Sequence, residues 1–237
     1  MMDVIVEHAK NEHPNESCGF MLSNGEYFPC QNIANDPSKH VVWSPDDWIL
    51  AEQIGDVVAL VHSHPDGELI LSEADRQAQK QTGLPWFLAV ATAVAKFPCV
   101  PPLLGRKFKH GEMDCYSLFR DAYALAGMSL PDFTRADDWW LNGENLYLDN
   151  LPKSGFGKVT EPQPGDVFII QLASNTPNHA AIYLGQQRIL HHCPERLSSR
   201  DVYGGYWAKH THSIWRHKQW PSYGFMGICN DLAAFSN

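Results

Sequence analysis

The stretch Val57-Val58-Ala59-Leu60-Val61-His62-Ser63-His64-Pro65, followed by Ser72-Glu73-Ala74-Asp75, decides how the first half of this chain folds. Its five opening residues are apolar and mostly β-branched, the composition of a buried strand, and His62 and His64 ride out at the strand's C-terminal end. Side chains alternate along a strand, so both imidazoles share one face. Pro65-Asp66-Gly67 breaks the strand, and Ser72-Glu73-Ala74-Asp75 reads as a capping box that opens a helix running through Gln81, with Asp75 in its first turn.

Each residue has a plain structural use: Ser72 as a helix N-cap, Asp75 as the partner of that cap, His62 and His64 as polar decoration on a strand. Their coincidence points further, to a metal site made of His62, His64 and Asp75. Two neutral imidazoles and one carboxylate leave a tetrahedral Zn2+ with one open position, where a bound water has its pKa lowered to roughly 7. The pattern His-Ser-His-Pro, spacer, Ser-x-x-Asp resembles the motif of the JAMM (MPN+) zinc metalloprotease family. The likeness extends over about residues 1 to 95 and takes in Pro14-Asn15-Glu16-Ser17-Cys18-Gly19-Phe20-Met21-Leu22, Asn35-Asp36-Pro37 and the helix start Ser44-Pro45-Asp46-Asp47. It implies zinc on His62, His64 and Asp75, Glu16 as the general base that shuttles the proton, and Ser72 as the donor that stabilises the oxyanion. Spacing alone leaves Glu7, Glu12 and Glu52 open as bases beside Glu16.

At 237 residues, with 44% apolar and 11% aromatic content, the chain has material for two packed cores. The proline cluster in Phe97-Pro98-Cys99-Val100-Pro101-Pro102 marks the boundary, giving domains 1–98 and 104–237. A formal charge of −9 disfavours nucleic acid and anionic membranes as partners. No apolar run has the length of a membrane span, and the first residues lack the order of a signal peptide. The six cysteines include no Cys-x-x-Cys pair and are expected as reduced thiols.

In the second half, Trp86–Thr92 having supplied one more strand before the boundary, Asp114-Cys115 leads into a helix over 116–126. Unpaired N–H groups and the macrodipole at a helix N-terminus favour a thiolate, so Cys115 is expected to be reactive; the bland alternative is a small buried hydrophobe. Pro164-Gly165-Asp166 turns into the strand 167–171, His179 opens the strand 180–185, and 188–192 returns beside it. A helix-borne Cys, a strand-borne His and a third polar group form the nucleophile, base and orienter of cysteine hydrolases. These segments resemble the NlpC/P60 family of papain-like peptidases over about residues 105 to 195, with Tyr116-Ser117 where that family usually has Ser-Gly. Hairpin geometry leaves the third member open: a two-residue turn at Gly185-Gln186 brings His192 opposite His179, and a three-residue loop puts His191 on that face. The separation of twelve residues usual in the family favours His191. Trp139-Trp140 and the aromatics at 203–207 offer the wall of a substrate groove but are read first as core, and His210, His212 and His217 have no spacing that a metal requires.

Together the two resemblances imply an α+β chain: a JAMM/MPN-like mixed β-sheet flanked by helices, then a papain-like domain with a helix packed on an antiparallel sheet. That order of domains, with Gly105-Arg106-Lys107-Phe108-Lys109-His110-Gly111 and Leu197-Ser198-Ser199-Arg200, is similar to the tail assembly proteins of lambda-like tailed phages. The resemblance implies partners among other phage tail tip proteins, peptide or peptidoglycan substrates, and the host bacterial cytoplasm during assembly, with the virion tail tip as a further location. Alternatives are a non-catalytic assembly scaffold and a cysteine acyltransferase or amidase.

Overall fold

The computed structural model describes residues 2–236. The chain divides into two compact units between Val100 and Pro101, and each has its own sheet.

The first unit runs α1 (Met2–Glu12), β1 (Cys18–Leu22), β2 (Tyr27–Cys30), α2 (Pro45–Glu52), β3 (Val57–Ser63), α3 (Glu73–Thr82), β4 (Trp86–Val90) and β5 (Ala93–Phe97). The strand order is β2-β1-β3-β4-β5. β3 and β4 are parallel and the other neighbours antiparallel, so the sheet is mixed. A parallel pair needs a crossover, and α3 supplies it. Alternation sorts the strand residues between two apolar layers. Phe20, Leu60, Trp86 and Leu88 pack toward Trp48 of α2 and Ala78 of α3, whereas Met21, Ala59, Val61 and Phe87 pack on Ile5 and Ala9 of α1. His62 is in phase with Leu60, which turns it toward the α3 side.

The second unit runs α4 (Cys115–Leu125), α5 (Leu146–Asn150), β6 (Phe156–Val159), β7 (Val167–Ile170), β8 (His179–Gly185), β9 (Arg188–His191), β10 (Ser199–Val202), α6 (Gly205–His210), β11 (Thr211–His217) and α7 (Gly224–Ala234). Its sheet has the order β10-β9-β8-β7-β11-β6, antiparallel throughout. Phe119 and Tyr123 of α4 bury against Val167, Ile169, Ala180 and Trp215 on one face, and Phe168, Ile170, Ala181 and Ile189 meet Tyr203 and Trp207 on the other. Asp114 caps α4 by accepting from Ser117 N–H at 2.9 Å, while Ser117 Oγ accepts from Asp114 N–H at 2.7 Å. At the Pro164-Gly165-Asp166 turn, Gly165 has φ +95° and a Cβ there would lie 2.4 Å from the Trp220 ring, so only glycine fits. Asp166 then takes a two-pronged bond from Arg216, both arms 2.8 Å, tying the turn to β11.

The β8–β9 hairpin settles which histidine joins His179. The strand bodies pair Ala181 with His191 and Tyr183 with Ile189, the register of the longer loop. The tip nevertheless closes over Gln186 and Gln187, both with positive φ, and the odd residue is absorbed in a bulge between Tyr183 and Gly185. His191 therefore shares the face of His179, while His192, past the end of β9, is buried edge-on to Phe108 in the wall of the cavity that also holds Cys115 and His179.

Candidate metal centre and thiol site

Three side-chain atoms of the first unit converge. His62 Nε2 lies 3.2 Å from His64 Nε2 and 3.4 Å from Asp75 Oδ1, and His64 Nε2 lies 3.2 Å from Asp75 Oδ2. A tetrahedral zinc with bonds of about 2.0–2.1 Å keeps its ligand atoms about 3.3 Å apart, so this triangle has the size and the donor set of a three-ligand zinc site. β3 delivers both imidazoles, and the first turn of α3 delivers the carboxylate. The capping box also aims Asp75: Ser72 N–H donates to Asp75 Oδ2 at 2.8 Å, and Asp75 N–H donates to Ser72 Oγ at 3.1 Å. Gly67 in the turn after His64 has no room for a side chain, since a Cβ there would sit 2.8 Å from His64 Cβ.

Glu16 stands just before β1, whose Cys18 pairs with His62. It is buried, with Asn32 Nδ2 donating to its carbonyl and its own N–H bonded to Pro37 O. Burial pushes its carboxyl pKa up, an effect partly offset by His62 and His64. Burial also opposes charge on Asp75, but the two imidazoles outweigh it and hold that carboxyl well below the usual range. Two of the other glutamates have their own partners: Glu12 lies 3.8 Å from His8, and Glu52 accepts from Trp48 Nε1 at 2.8 Å.

In the second unit Cys115 begins α4, with its Sγ 3.1 Å from the Tyr147 hydroxyl. It lines a cavity of about 710 Å³ together with His179, Tyr147, Cys193, Trp140 and Trp207. His179 Nε2 lies 3.0 Å from His191 Nδ1, and His191 Nε2 lies 3.1 Å from Asp201 Oδ2, off the line of a straight hydrogen bond. The expected thiolate is not the resting state. Close packing round the sulfur, reinforced by the Asp114 charge, pushes the Cys115 thiol up to about 12, despite the Tyr147 hydroxyl and the Ala180 N–H. The N-cap carboxylate of Asp114 already occupies the positive end of the helix, so little of it is left for the sulfur. Burial, then His191 and His192, push His179 down to about 3. At neutral pH the pair therefore rests as thiol and neutral imidazole.

Sequence reading missed Asp201, Tyr147 and Cys193; of its two readings of Trp139, Trp140, Tyr206 and Trp207, groove wall and core, the cavity lining fits the first. Trp139 is both, buried in the main cluster and lining the cavity. Asp201 had one local signal, its place in the alternating polar strand β10, but no spacing rule links it to His191. Among the tail histidines, His210 Nδ1–H donates to Tyr206 O and His217 packs on Phe156; neither joins a metal-sized cluster among the described residues.

Residues 1–100 match the prokaryotic homologs of the JAB domain, and residues 105–216 match the NlpC/P60 family. Fold and site thus define a JAB unit followed by an NlpC/P60 unit in one α+β chain. Over 195 residues the chain is 56% identical to tail tip assembly protein K of Escherichia phage lambda, covering 81% of this chain and 98% of that protein. It is 38% identical over 228 residues to tail tip assembly protein K of Escherichia phage N15, covering 92% and 94%. The chain belongs to the tail tip assembly protein K family. Among solved structures it is similar to an NLP/P60-family protein from Staphylococcus aureus, at 24% identity over 47% of this chain and 36% of that one, with a TM-score of 0.33.

Proposed function

We propose that this chain is a two-site hydrolase of phage tail tip assembly, with a zinc-dependent (iso)peptidase in residues 1–98 and a cysteine endopeptidase in residues 104–237. The observation that carries the reading is the triangle of His62, His64 and Asp75, whose 3.2–3.4 Å edges suit one divalent ion. Zinc held there supplies a Lewis acid that acidifies water and polarises a scissile carbonyl. Glu16, its pKa raised by burial, takes the proton of the attacking water and returns it to the leaving amine. Ser72 Oγ accepts from Asp75 N–H, and its own O–H can be donated to the oxyanion.

In the thiol site Cys115 passes its proton to His179 as the sulfur attacks, and His191, backed by Asp201, orients the imidazole. The aromatic walls of the cavity suit a peptide, from a tail protein or from a peptidoglycan stem. Other tail tip proteins are the partners, and assembly takes place in the host bacterial cytoplasm; retention in the virion tail tip is part of the same reading.

A second reading, a non-catalytic assembly scaffold, is favoured by the high thiol pKa of Cys115 and by the names of the relatives, which speak of assembly alone. The test is digestion of purified peptidoglycan and of co-expressed tail tip proteins with wild type, Glu16→Ala and Cys115→Ala. Cleavage lost separately in each variant supports two hydrolases. Equal inactivity of all three, wild type included, supports the scaffold.

A further inference from the structure

We propose that the second unit has a metal site of its own, formed by His179, His191 and Cys193, which takes a borderline-soft divalent ion such as zinc and, when filled, withholds both imidazoles from Cys115. The switching clause rests on the thiol-peptidase reading; the site itself rests on geometry. Cys193 Sγ lies 3.5 Å from His191 Nδ1 and 4.0 Å from His179 Nε2, and those two nitrogens are 3.0 Å apart. With Zn–N near 2.05 Å and Zn–S near 2.3 Å, tetrahedral edges are about 3.3 Å between nitrogens and about 3.6 Å from nitrogen to sulfur, so each separation is within about 0.4 Å of a filled site.

The fold builds this triangle from strand register. With Ala181 opposite His191, Cys193 falls opposite His179 when the pairing is extended past the end of β9. Both imidazoles are buried. The far nitrogen of His191 lies 3.1 Å from the Asp201 carboxylate, off the line of a straight hydrogen bond; a small turn of the ring would complete the carboxylate–histidine–metal arrangement that orients ligand imidazoles. Trp207 covers the cluster, its ring centroid 4.5 Å from His191. A thiol is not required by the Cys, His, His, Asp series of the peptidase reading, yet Cys193 is aimed at both of its imidazoles. Thiolate with two imidazoles is a zinc-type donor set; binding releases the Cys193 proton to solvent.

The ion and the peptidase arrangement exclude each other. Either a proton lies between His179 Nε2 and His191 Nδ1, orienting His179 for Cys115, or an ion takes both lone pairs. Filling the site therefore stops thiol chemistry.

Cobalt(II) is the probe, in full-length His64→Ala protein so that the first-unit site is disabled. Expected are one cobalt per chain with thiolate-to-cobalt charge-transfer absorption, loss of that band with at least tenfold weaker binding when Cys193→Ser is added, and retention of the band when Cys115→Ser is added instead. An unchanged second-unit unfolding transition in the Cys193→Ser chain serves as the folding control, since Cys193 lies in that unit. No band in His64→Ala, or a band that survives Cys193→Ser and vanishes with Cys115→Ser, overturns the site. Zinc should also inhibit Cys115-dependent hydrolysis reversibly to chelator, at a midpoint matching site filling; hydrolysis indifferent to a filled site overturns the switch. A chain with no Cys115-dependent hydrolysis sinks the peptidase reading and the switch together, while the cobalt band still decides the site.

Discussion

In the proposed mechanisms Glu16 accepts a proton and Cys115 gives one up, and burial acts on both. A carboxyl pushed up by burial is a better proton acceptor at neutral pH, but only as the carboxylate. First-unit hydrolysis should therefore fall as pH drops through an apparent pKa above the ordinary glutamate value of about 4.3. Glu16→Gln should lower the rate by about a hundredfold or more while leaving bound zinc unchanged; loss of zinc with activity would recast Glu16 as a structural support. Cys115 should alkylate more slowly at pH 8 than a free thiol of pKa about 8.5, with the rate still climbing above pH 9. Fast alkylation at neutral pH would mean that the helix dipole prevails over burial and the neighbouring Asp114 charge.

Strand and helix ends place these side chains, and their stability can be tested through the α4 cap. Asp114 receives Arg135 Nε at 2.8 Å, both side chains being 3% exposed. Burial opposes the charge on Asp114, but the Ser117 N–H and Arg135 outweigh it and lower its pKa. Arg135→Ala should cost about 3 kcal/mol at pH 7, because it strands a buried carboxylate. The folded pKa lies below the unfolded one, so the contribution of the pair is present above the unfolded value of about 3.9 and is lost as pH falls through the folded value. The gap between wild type and Arg135→Ala in denaturant midpoints should narrow in acid; a constant gap would place the cost in packing. In the first unit, Gly67→Ala should displace His64 and weaken zinc binding by about tenfold or more, measured by competition with a chelator.

At the scale of the whole molecule, two units with separate cores should unfold in two transitions. Zinc should raise the first-unit transition of wild type and not that of His64→Ala, since only the form that binds gains stability, and Arg135→Ala should lower the other transition alone. A single transition that moves with all of these would contradict two independent cores. Much of this plan was legible beforehand. The runs 57–61, 86–92, 167–171 and 180–185 read as strands because apolar β-branched patterns are local, and Ser72-x-x-Asp75 read as a cap because its hydrogen bonds close within one turn. The patterns do not reach α1, β2, β5, α5, β6, β10, α6, β11 or α7: β5 follows β4 with no intervening breaker, and β2, β6 and β10 are four residues each, too short for a periodicity to stand out. By itself, then, the sequence marked the strongly patterned elements, the proline-rich break near residue 98 and the set His62, His64 and Asp75, since these depend on neighbours a few residues apart. The family's twelve-residue spacing favours His191, but only the tertiary structure sets its Nδ1 3.0 Å from His179 Nε2, brings Asp201, Tyr147 and Cys193 to that site and buries the Cys115 thiol. Register, a hairpin bulge and burial are sums over residues distant in the chain, and no short window of sequence contains them.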